Sequence, residues 1–386
     1  MSFLATLRTA RPAVAAFAAM GVGWGGYAAA LPDIKHMLGV DEARLGMLLL
    51  FTPIAAMMGM LLAPGIGARL GRYALPIAAV AMALAFMLPG QAQAIWLFPF
   101  AMMACGAATG LTDVLMNARV ATLENERNLH LMNLCHAGYS FGYAGGALAT
   151  GAMRSAGWGP DHVLLTTGCA AFVLALMAIE RDGTIRGLLK PKDGTSGHLG
   201  LIPLVGGAIV LIAFLTENAA ENWSALHIEQ TLNGSPAQGA LGPAALALTM
   251  GFARLVGQGL ANRTSPYLLL RGGAVISACG ALIAAMATSP AMAYAGFIVM
   301  GIGSSVIAPT AFSLVGRLAD PASRARAVAR ATLYGYFGYF FGPPMLGFLA
   351  GAFGLRAAFV FAAVMLMVVP LLALLMAHVR GRMQTA

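Results

Sequence analysis

Residues 199–225 read LGLIPLVGGAIVLIAFLTENAAENWSA. Up to Phe214 the stretch is almost wholly apolar. A helix that crosses the hydrocarbon core of a bilayer needs about 20 mostly apolar residues. Backbone polar groups must be satisfied internally in lipid, so a run of this kind reads as a helix. Then Glu217, Asn218, Glu221 and Asn222 follow in quick succession. At 100° per residue they fall on one helix face about 140° wide. Such a face suits the wall of a wet cavity and not contact with lipid.

The same apolar character fills the chain. Of its 386 residues 59% are hydrophobic and only 10% are charged, too few charges for a soluble domain of this size. Twelve segments read as membrane spans: 12–32, 45–66, 73–91, 94–118, 133–154, 161–180, 200–223, 238–260, 267–288, 291–316, 331–352 and 356–379. Turn chemistry separates them, as in NGSPAQG and ADPASR. The one long separator, RDGTIRGLLKPKDGTSGHLG at 181–200, divides the chain into 1–180 and 201–386. The expected fold is an all-α membrane protein of twelve transmembrane helices in two pseudo-symmetric six-helix bundles. The first segment, behind Arg8 and Arg11, reads as an uncleaved helix, although AAA at 28–30 imitates a signal cleavage site.

The net charge of +9 does not point to nucleic acid, because the positive charges fall in short loops between spans. With a cytoplasmic N-terminus, Arg8, Arg11, Arg69, Arg72, Arg119, Arg127, Arg317 and most other basic residues lie inside. Only Lys35, Arg44, Arg154 and Arg356 lie outside, so both termini are expected in the cytoplasm. Cys105, Cys135, Cys169 and Cys279 are scattered along the spans and show neither metal-site nor disulfide spacing.

The halves echo each other at an offset of roughly 195 residues. GARLGR after span two answers GLANR after span eight, and Arg119 at the end of span four answers Arg317 at the end of span ten. GYSFGYAGG in span five answers GYFGYFFGPP in span eleven, Tyr139 against Tyr336. Two parallel six-helix halves with a solute site between them is one plan used by secondary transporters.

At this point the chain resembles the major facilitator superfamily over essentially its whole length. The family's marker between spans two and three, Gly-x-Leu-Ala-Asp-Arg-x-Gly-Arg, is matched here by PGIGARLGR. Arg69, Gly71 and Arg72 agree, whereas Ala68 stands at the Asp position and Pro64 at the first Gly. The second half has Asn262 at the acidic position. The resemblance implies that this region latches the cytoplasmic side, and both halves lack the latch carboxylate. A closer resemblance is to bacterial fucose-permease-like members. It is carried by GVGWGGYAAALPDIK, TDVLMNARVATLE, CHAGYSFGYAGG, ENAAENWSALHI, GFARLVGQGLANR and GPPMLGFLAG. This resemblance implies solute transport linked to protons, with an acidic proton site on span four.

Several polar residues are candidates for that work. Charge in a span is tolerated when it pairs, protonates or faces water. Glu217 and Asp113 are the candidate proton-coupling carboxylates. Asn117 shares the face of Asp113, four residues away. Trp24 and Tyr27 offer rings for stacking on a sugar, and with Asn117, Asn218, Glu221 and Asn222 they are the candidate substrate-binding set. The plainer reading of Glu221 and Asn222 is the wet outer end of a helix with Trp223 as interface anchor. Arg254, deep in span eight, needs a partner, and Asp113 or another inward carboxylate can supply it. Asp33 is expected to cap or pair within the first outer loop. His136, Arg69 and Arg72 are candidate gating residues, and Pro343 and Pro344 read as a break in span eleven.

The expected function is secondary active transport of a small polar solute, sugar- or polyol-like, by alternating access with proton coupling. Its partners are the solute, protons and the lipid bilayer of a bacterial cytoplasmic membrane, without nucleic acid. No cofactor or metal is expected, and a monomer is. Efflux of drugs or metabolites is the first rival. A membrane-embedded enzyme is disfavoured, since no His-x-x-x-His or nucleophile–base motif lies in a span. A solute sensor on the same fold is the third reading.

Overall fold

The computed structural model describes residues 3–127, 129, 131–185, 188, 200–261, 264–319 and 323–385, and within them every side chain but those of 3–6, 256–261, 325 and 379–385. Most of the linker, 181–200, lies outside the described residues, as do Asn262 and Arg263 of the repeat. Among the described residues the chain is helix and turn, with no strand.

The elements run α1 (Phe3–Leu38), α2 (Glu42–Leu49), α3 (Phe51–Leu70), a 3-10 turn (Gly71–Tyr73), α4 (Ala74–Ala85), α5 (Phe98–Arg127), α6 (Met132–Ser155) and α7 (Pro160–Leu176). After the linker come α8 (Ile202–Leu226), a π-helical turn (His227–Thr231), α9 (Pro236–Ala261), α10 (Pro266–Ala285), α11 (Pro290–Leu318), α12 (Arg324–Phe353) and α13 (Leu355–Thr385). Among the described residues, seven stretches are long and apolar enough to cross a membrane by length and composition: 7–38, 42–85, 98–127, 202–231, 266–285, 290–318 and 355–378. Helices α6 and α12 are not among the seven, being rich in glycine and tyrosine, nor is α7, which is apolar but only 17 residues long; the last turns of α9 belong to the residues whose side chains are not described.

Several boundaries differ from expectation for physical reasons. The segment 45–66 is two helices that part at Leu50. Pro53 has no N–H for the Leu49 carbonyl, and its ring crowds that group. Helix α1 continues through Pro32 to Leu38, so Asp33 lies in a helix and not in a loop. The segment 73–91 ends as α4 at Ala85, and turns fill the chain to Phe98. Conversely, α12 runs through Pro343 and Pro344 as one helix, without the expected break.

Helix ends are finished by side chains. Pro160, Pro266 and Pro290 open α7, α10 and α11, where a missing N–H costs nothing. Asp41 caps α2 by accepting from Arg44 N at 2.8 Å. Glu124, at the end of α5, accepts from Met132 N at 2.9 Å and so caps α6 from a distance. Arg119 is buried and donates to both Glu180 oxygens (2.8 and 2.9 Å) and to the carbonyls of Asp182 (2.6 Å) and Thr184 (2.9 Å). The chain leaving α7 is thereby strapped to α5. Arg356, at the start of α13, donates to the carbonyls of Ala285 (3.0 Å) and Ala287 (2.8 Å) at the end of α10. Arg356→Ala is expected to leave these acceptors unmet and cost about 1–3 kcal/mol. Faster hydrogen exchange confined to the last turn of α10 is the check.

Packing repeats from one half of the chain to the other. Helix α1 packs most closely on α6, and α8 on α12. Likewise α3 meets α5 as α9 meets α11, and α4 meets α7 as α10 meets α13. Between the first set and the second, α6 lies along α9 and α2 along α12. Glycines bring backbones together: a methyl group on Gly25 of α1 would land on the carbonyl oxygen of Tyr143, and one on Gly106 of α5 on that of Thr52. Where α1 and α6 meet α9, a small cluster of Ala29, Ala144, Ala147, Ala240 and Ala244 fills the seam. The end of the molecule that holds this seam and the α1, α6 and α8 C-termini is the far end. The opposite, near end carries the chain termini.

Candidate functional site

Glu217 and Glu221 stand one turn apart on α8 and face the junction of the two sets of helices. The Glu217 carboxylate is within electrostatic range of Arg254 on α9, Tyr139 on α6 and Tyr339 on α12. Glu221 is in range of the same three groups and of Tyr143 on α6. Glu217 is only 5% exposed. Its Oε1 has no hydrogen-bond partner among the described residues. A buried polar atom without a partner is uncommon and asks for an explanation.

Aromatic rings surround the carboxylates. Tyr139 and Tyr143 lie 6.0 Å apart, centroid to centroid. Phe214 stacks on Tyr339 at 4.7 Å and tilts against Tyr336 at 5.8 Å. From α1, Trp24 packs with Tyr139 against Ala28, Tyr143 and Ala247. It also meets Tyr27 and Phe86 edge-on at 5.8 and 4.9 Å.

Asp113 on α5 accepts from Asn117 Nδ2 at 3.1 Å and from the Tyr336 hydroxyl at 3.3 Å. The second bond joins α5 to α12. The expected pair of Asp113 with Arg254 is absent: no ion pair links them among the described residues, and both Asp113 oxygens are taken by neutral donors. Arg254 instead acts on Glu217, Glu221, Tyr139 and His136.

The other candidates are spread more widely. Asn218 is buried but turns from the carboxylates toward α12, where a Cβ on Gly342 would sit 3.1 Å from its Oδ1. Glu217 and Glu221 reach Tyr339 of the same helix as well as α6 and α9, so a face about 140° wide meets more than one neighbouring helix. Asn222 is half-buried. Tyr27 is buried with its hydroxyl unpartnered, toward Cys105. His136 packs edge-on to Phe17 at 4.9 Å. Arg69 is exposed at the near end, and Arg72 donates to its neighbour Tyr73 at 2.6 Å. The Pro343 carbonyl faces Gly46 of α2. All four cysteines are free thiols. A separate apolar groove of about 720 Å³, lined by Leu211, Leu215, Phe341 and Met365, lies outside this constellation.

Tyr139, Tyr143, Tyr336, Tyr339 and Phe214 are not among the candidate site residues that the sequence offers. One signal was present: the repeat pairs Tyr139 with Tyr336, and each proves to sit beside a carboxylate.

Comparison with known proteins agrees with this architecture. The model of the Major Facilitator Superfamily matches residues 205–384. An uncharacterised MFS-type transporter of Yersinia pestis is 31% identical over 360 residues, 92% of each chain. The membrane protein MosC of Rhizobium meliloti is 26% identical over 87% of this chain and 82% of its own. Among solved structures, a bacterial homologue of the human lysosomal transporter Spinster, inward-facing and unoccupied, superposes with a TM-score of 0.78 at 16% identity over 99% of each chain. The E. coli fucose:proton symporter FucP superposes with a TM-score of 0.60 at 16% identity over 95% of this chain and 97% of its own. At such identities the superpositions speak to the fold alone, whereas the full-length relative carries the kinship: the chain belongs to the major facilitator superfamily, a multi-pass membrane protein of transporter type.

Proposed function

We propose that the chain is a proton-coupled secondary transporter that moves a small polar solute between its two halves by alternating access. In this reading there are twelve spans, with 1–180 and 201–386 as six-helix bundles on either side of the linker 181–200. The near end lies in the bacterial cytoplasm and the far end outside, a reading that the placement of Lys and Arg supports. The observation that carries the proposal is the buried Glu217 carboxylate at the junction of α6, α8, α9 and α12, whose Oε1 has no hydrogen-bond partner among the described residues. A carboxylate held there can trade a proton for a solute contact as the halves rock. Asp113, tied across the halves to Tyr336, is the second proton-linked group.

The solute is a sugar- or polyol-like molecule. Unmet acceptors at Glu217 and Asn218 suit hydroxyl donors, and the rings of Trp24, Tyr139 and Tyr339 suit a sugar's apolar faces. A second reading, efflux of an organic cation in exchange for protons, draws support from the aromatic wall around Glu217 and Glu221. Thermal-shift screening of sugars, polyols and organic cations, then transport in proteoliposomes, tests both. Symport predicts alkalinisation of a weakly buffered medium when a hit is added outside. Acidification on addition of a cation favours the exchanger, and no proton movement with any transported hit overturns the coupling.

A further inference from the structure

One arginine gathers the far end. Arg154, in the last turn of α6, has a side chain only 1% exposed. Its Nε donates to Asp33 Oδ2 at 2.7 Å. Nη2 donates to Asp33 Oδ1 at 2.6 Å and to Glu229 Oε2 at 2.9 Å. Nη1 donates to Glu229 Oε1 and to the Ala29 carbonyl, both at 2.7 Å. A guanidinium has five N–H donors, and here every one is used. The two carboxylates are both gripped bidentately, the strongest arrangement available to arginine.

The partners do not belong to one bundle. Asp33 and Ala29 are on α1, which packs on α6 within the first half. Glu229 is in the π-helical turn that follows α8, in the second half. Two local features aim it. The π turn, a rare element that recurs at functional positions, carries it past the end of α8. Gly239 on α9 leaves the space it occupies, since a Cβ there would collide with Glu229 Oε1. Its neighbour Gln230 reaches Lys35 of α1 at 3.3 Å, and Lys35 also pairs with Glu42 at the start of α2.

We propose that Arg154, Asp33 and Glu229 form the outer gate of the transporter, closed in this structure and opened by release of Glu229. Asp33 and the Ala29 carbonyl belong to the arginine's own half and travel with it. They hold the guanidinium in place and leave one edge for Glu229 to take or leave. Glu229 is therefore the mobile partner, and Asp33 is a positioning residue. Both sequence neighbourhoods fit such a division, as a bond meant only to hold a bundle together would join helices of that bundle. The inference rests on the alternating-access reading above, but its test needs neither solute nor proton gradient.

The test is thiol access. In a background with Cys105, Cys135, Cys169 and Cys279 replaced, Ala244→Cys places a reporter in the alanine seam, at a residue 1% exposed. A membrane-impermeant maleimide is applied from outside to right-side-out vesicles. Glu229→Gln is expected to raise the labelling rate at least about tenfold, the bias that loss of one charge-assisted pair gives a two-state equilibrium. Gly239→Ala, which alters no charge and only displaces Glu229, is expected to do the same. Ala274→Cys, buried within α10, should label no faster in either variant. Unchanged labelling of the seam in both variants overturns the gate, and so does a parallel rise at Ala274→Cys, which signals loosened packing. Faster seam labelling with no proton-linked transport of any solute keeps the gate and overturns the coupling alone.

Discussion

Glu217→Gln should yield a transporter that equilibrates its solute but does not concentrate it. The exchange keeps the shape and resembles the protonated acid, with one acceptor and a donor in place of two acceptors, and it removes the ability to cycle between charged and neutral forms. Glu217 is the buried member of the pair with Glu221, and its Oε1 has no internal partner to hold its charge state fixed. A pH gradient of one unit supplies about 1.4 kcal/mol per proton, roughly tenfold accumulation for one coupled proton. The expected ratio of internal to external solute therefore falls from roughly tenfold to roughly unity under that gradient. Downhill exchange of labelled solute should continue. Proteoliposomes loaded with buffer at set pH read both quantities. A variant that still reaches tenfold accumulation would leave Glu217 without a coupling role. Arg254→Gln is the companion measurement. If Arg254 tunes the two glutamates, its loss should impair accumulation more than exchange, and transport unaltered in both respects would remove Arg254 from the mechanism.

The largest effect on stability is expected at Gly25. Here α1 lies against α6 so closely that a methyl group would coincide with the carbonyl oxygen of Tyr143. A side-chain tip can rotate aside, but a backbone carbonyl cannot. Gly25→Ala therefore forces the helices apart along a contact that also includes Gly21, Gly142 and Gly146. Overpacking of a tight core costs typically 1–3 kcal/mol and occasionally more, and a rigid obstacle places this case at about 3 kcal/mol or above. Gly65→Ala on α3 supplies the contrast, because nothing lies within 4 Å of the added atom. There the helix preference of alanine should be neutral or add up to about 1 kcal/mol of stability. Unfolding in detergent should come much earlier for Gly25→Ala, and no earlier than in the parent for Gly65→Ala. Equal behaviour would mean that the α1–α6 contact is looser than it stands in this structure.

Much of the helix pattern was legible because burial in lipid demands long apolar runs, and such runs survive any detail of packing. What escaped was set by local backbone chemistry or by distance along the chain. Pro53 splits a segment whose hydropathy is continuous. Helix α1 carries Asp33 and Lys35 past the expected end at Pro32, because the charged side chains find partners on other helices. The tie from Arg154 to Glu229 spans 75 residues, and nothing near either residue announces it. Within the candidate site, Glu217 and Asp113 could be singled out because a carboxylate in a span is conspicuous. Tyr143, Tyr336 and Tyr339 could not, since tyrosine in a membrane helix is unremarkable until a neighbouring acid gives its hydroxyl a task. Asn218 shares a helix face with Glu217 in projection, yet its Oδ1 lies against Gly342 of α12, while Glu217 looks to Tyr139 of α6, Arg254 of α9 and Tyr339 of α12.

The seam of Ala29, Ala144, Ala147, Ala240 and Ala244 bears on how easily the molecule changes state. A methyl group contributes about 0.8 kcal/mol when it leaves water, against 1.5–3 kcal/mol for a leucine or phenylalanine side chain. Surfaces tiled with alanine can meet water and part from it again with less free energy at stake than surfaces of leucine or phenylalanine. Larger side chains there would weld the halves, and polar ones would keep the crevice permanently wet. With five alanines the non-polar contact puts about 4 kcal/mol at stake, a sum of the same order as the hydrogen bonds at the rim, so under the proposed alternating access the two would share in deciding which state prevails.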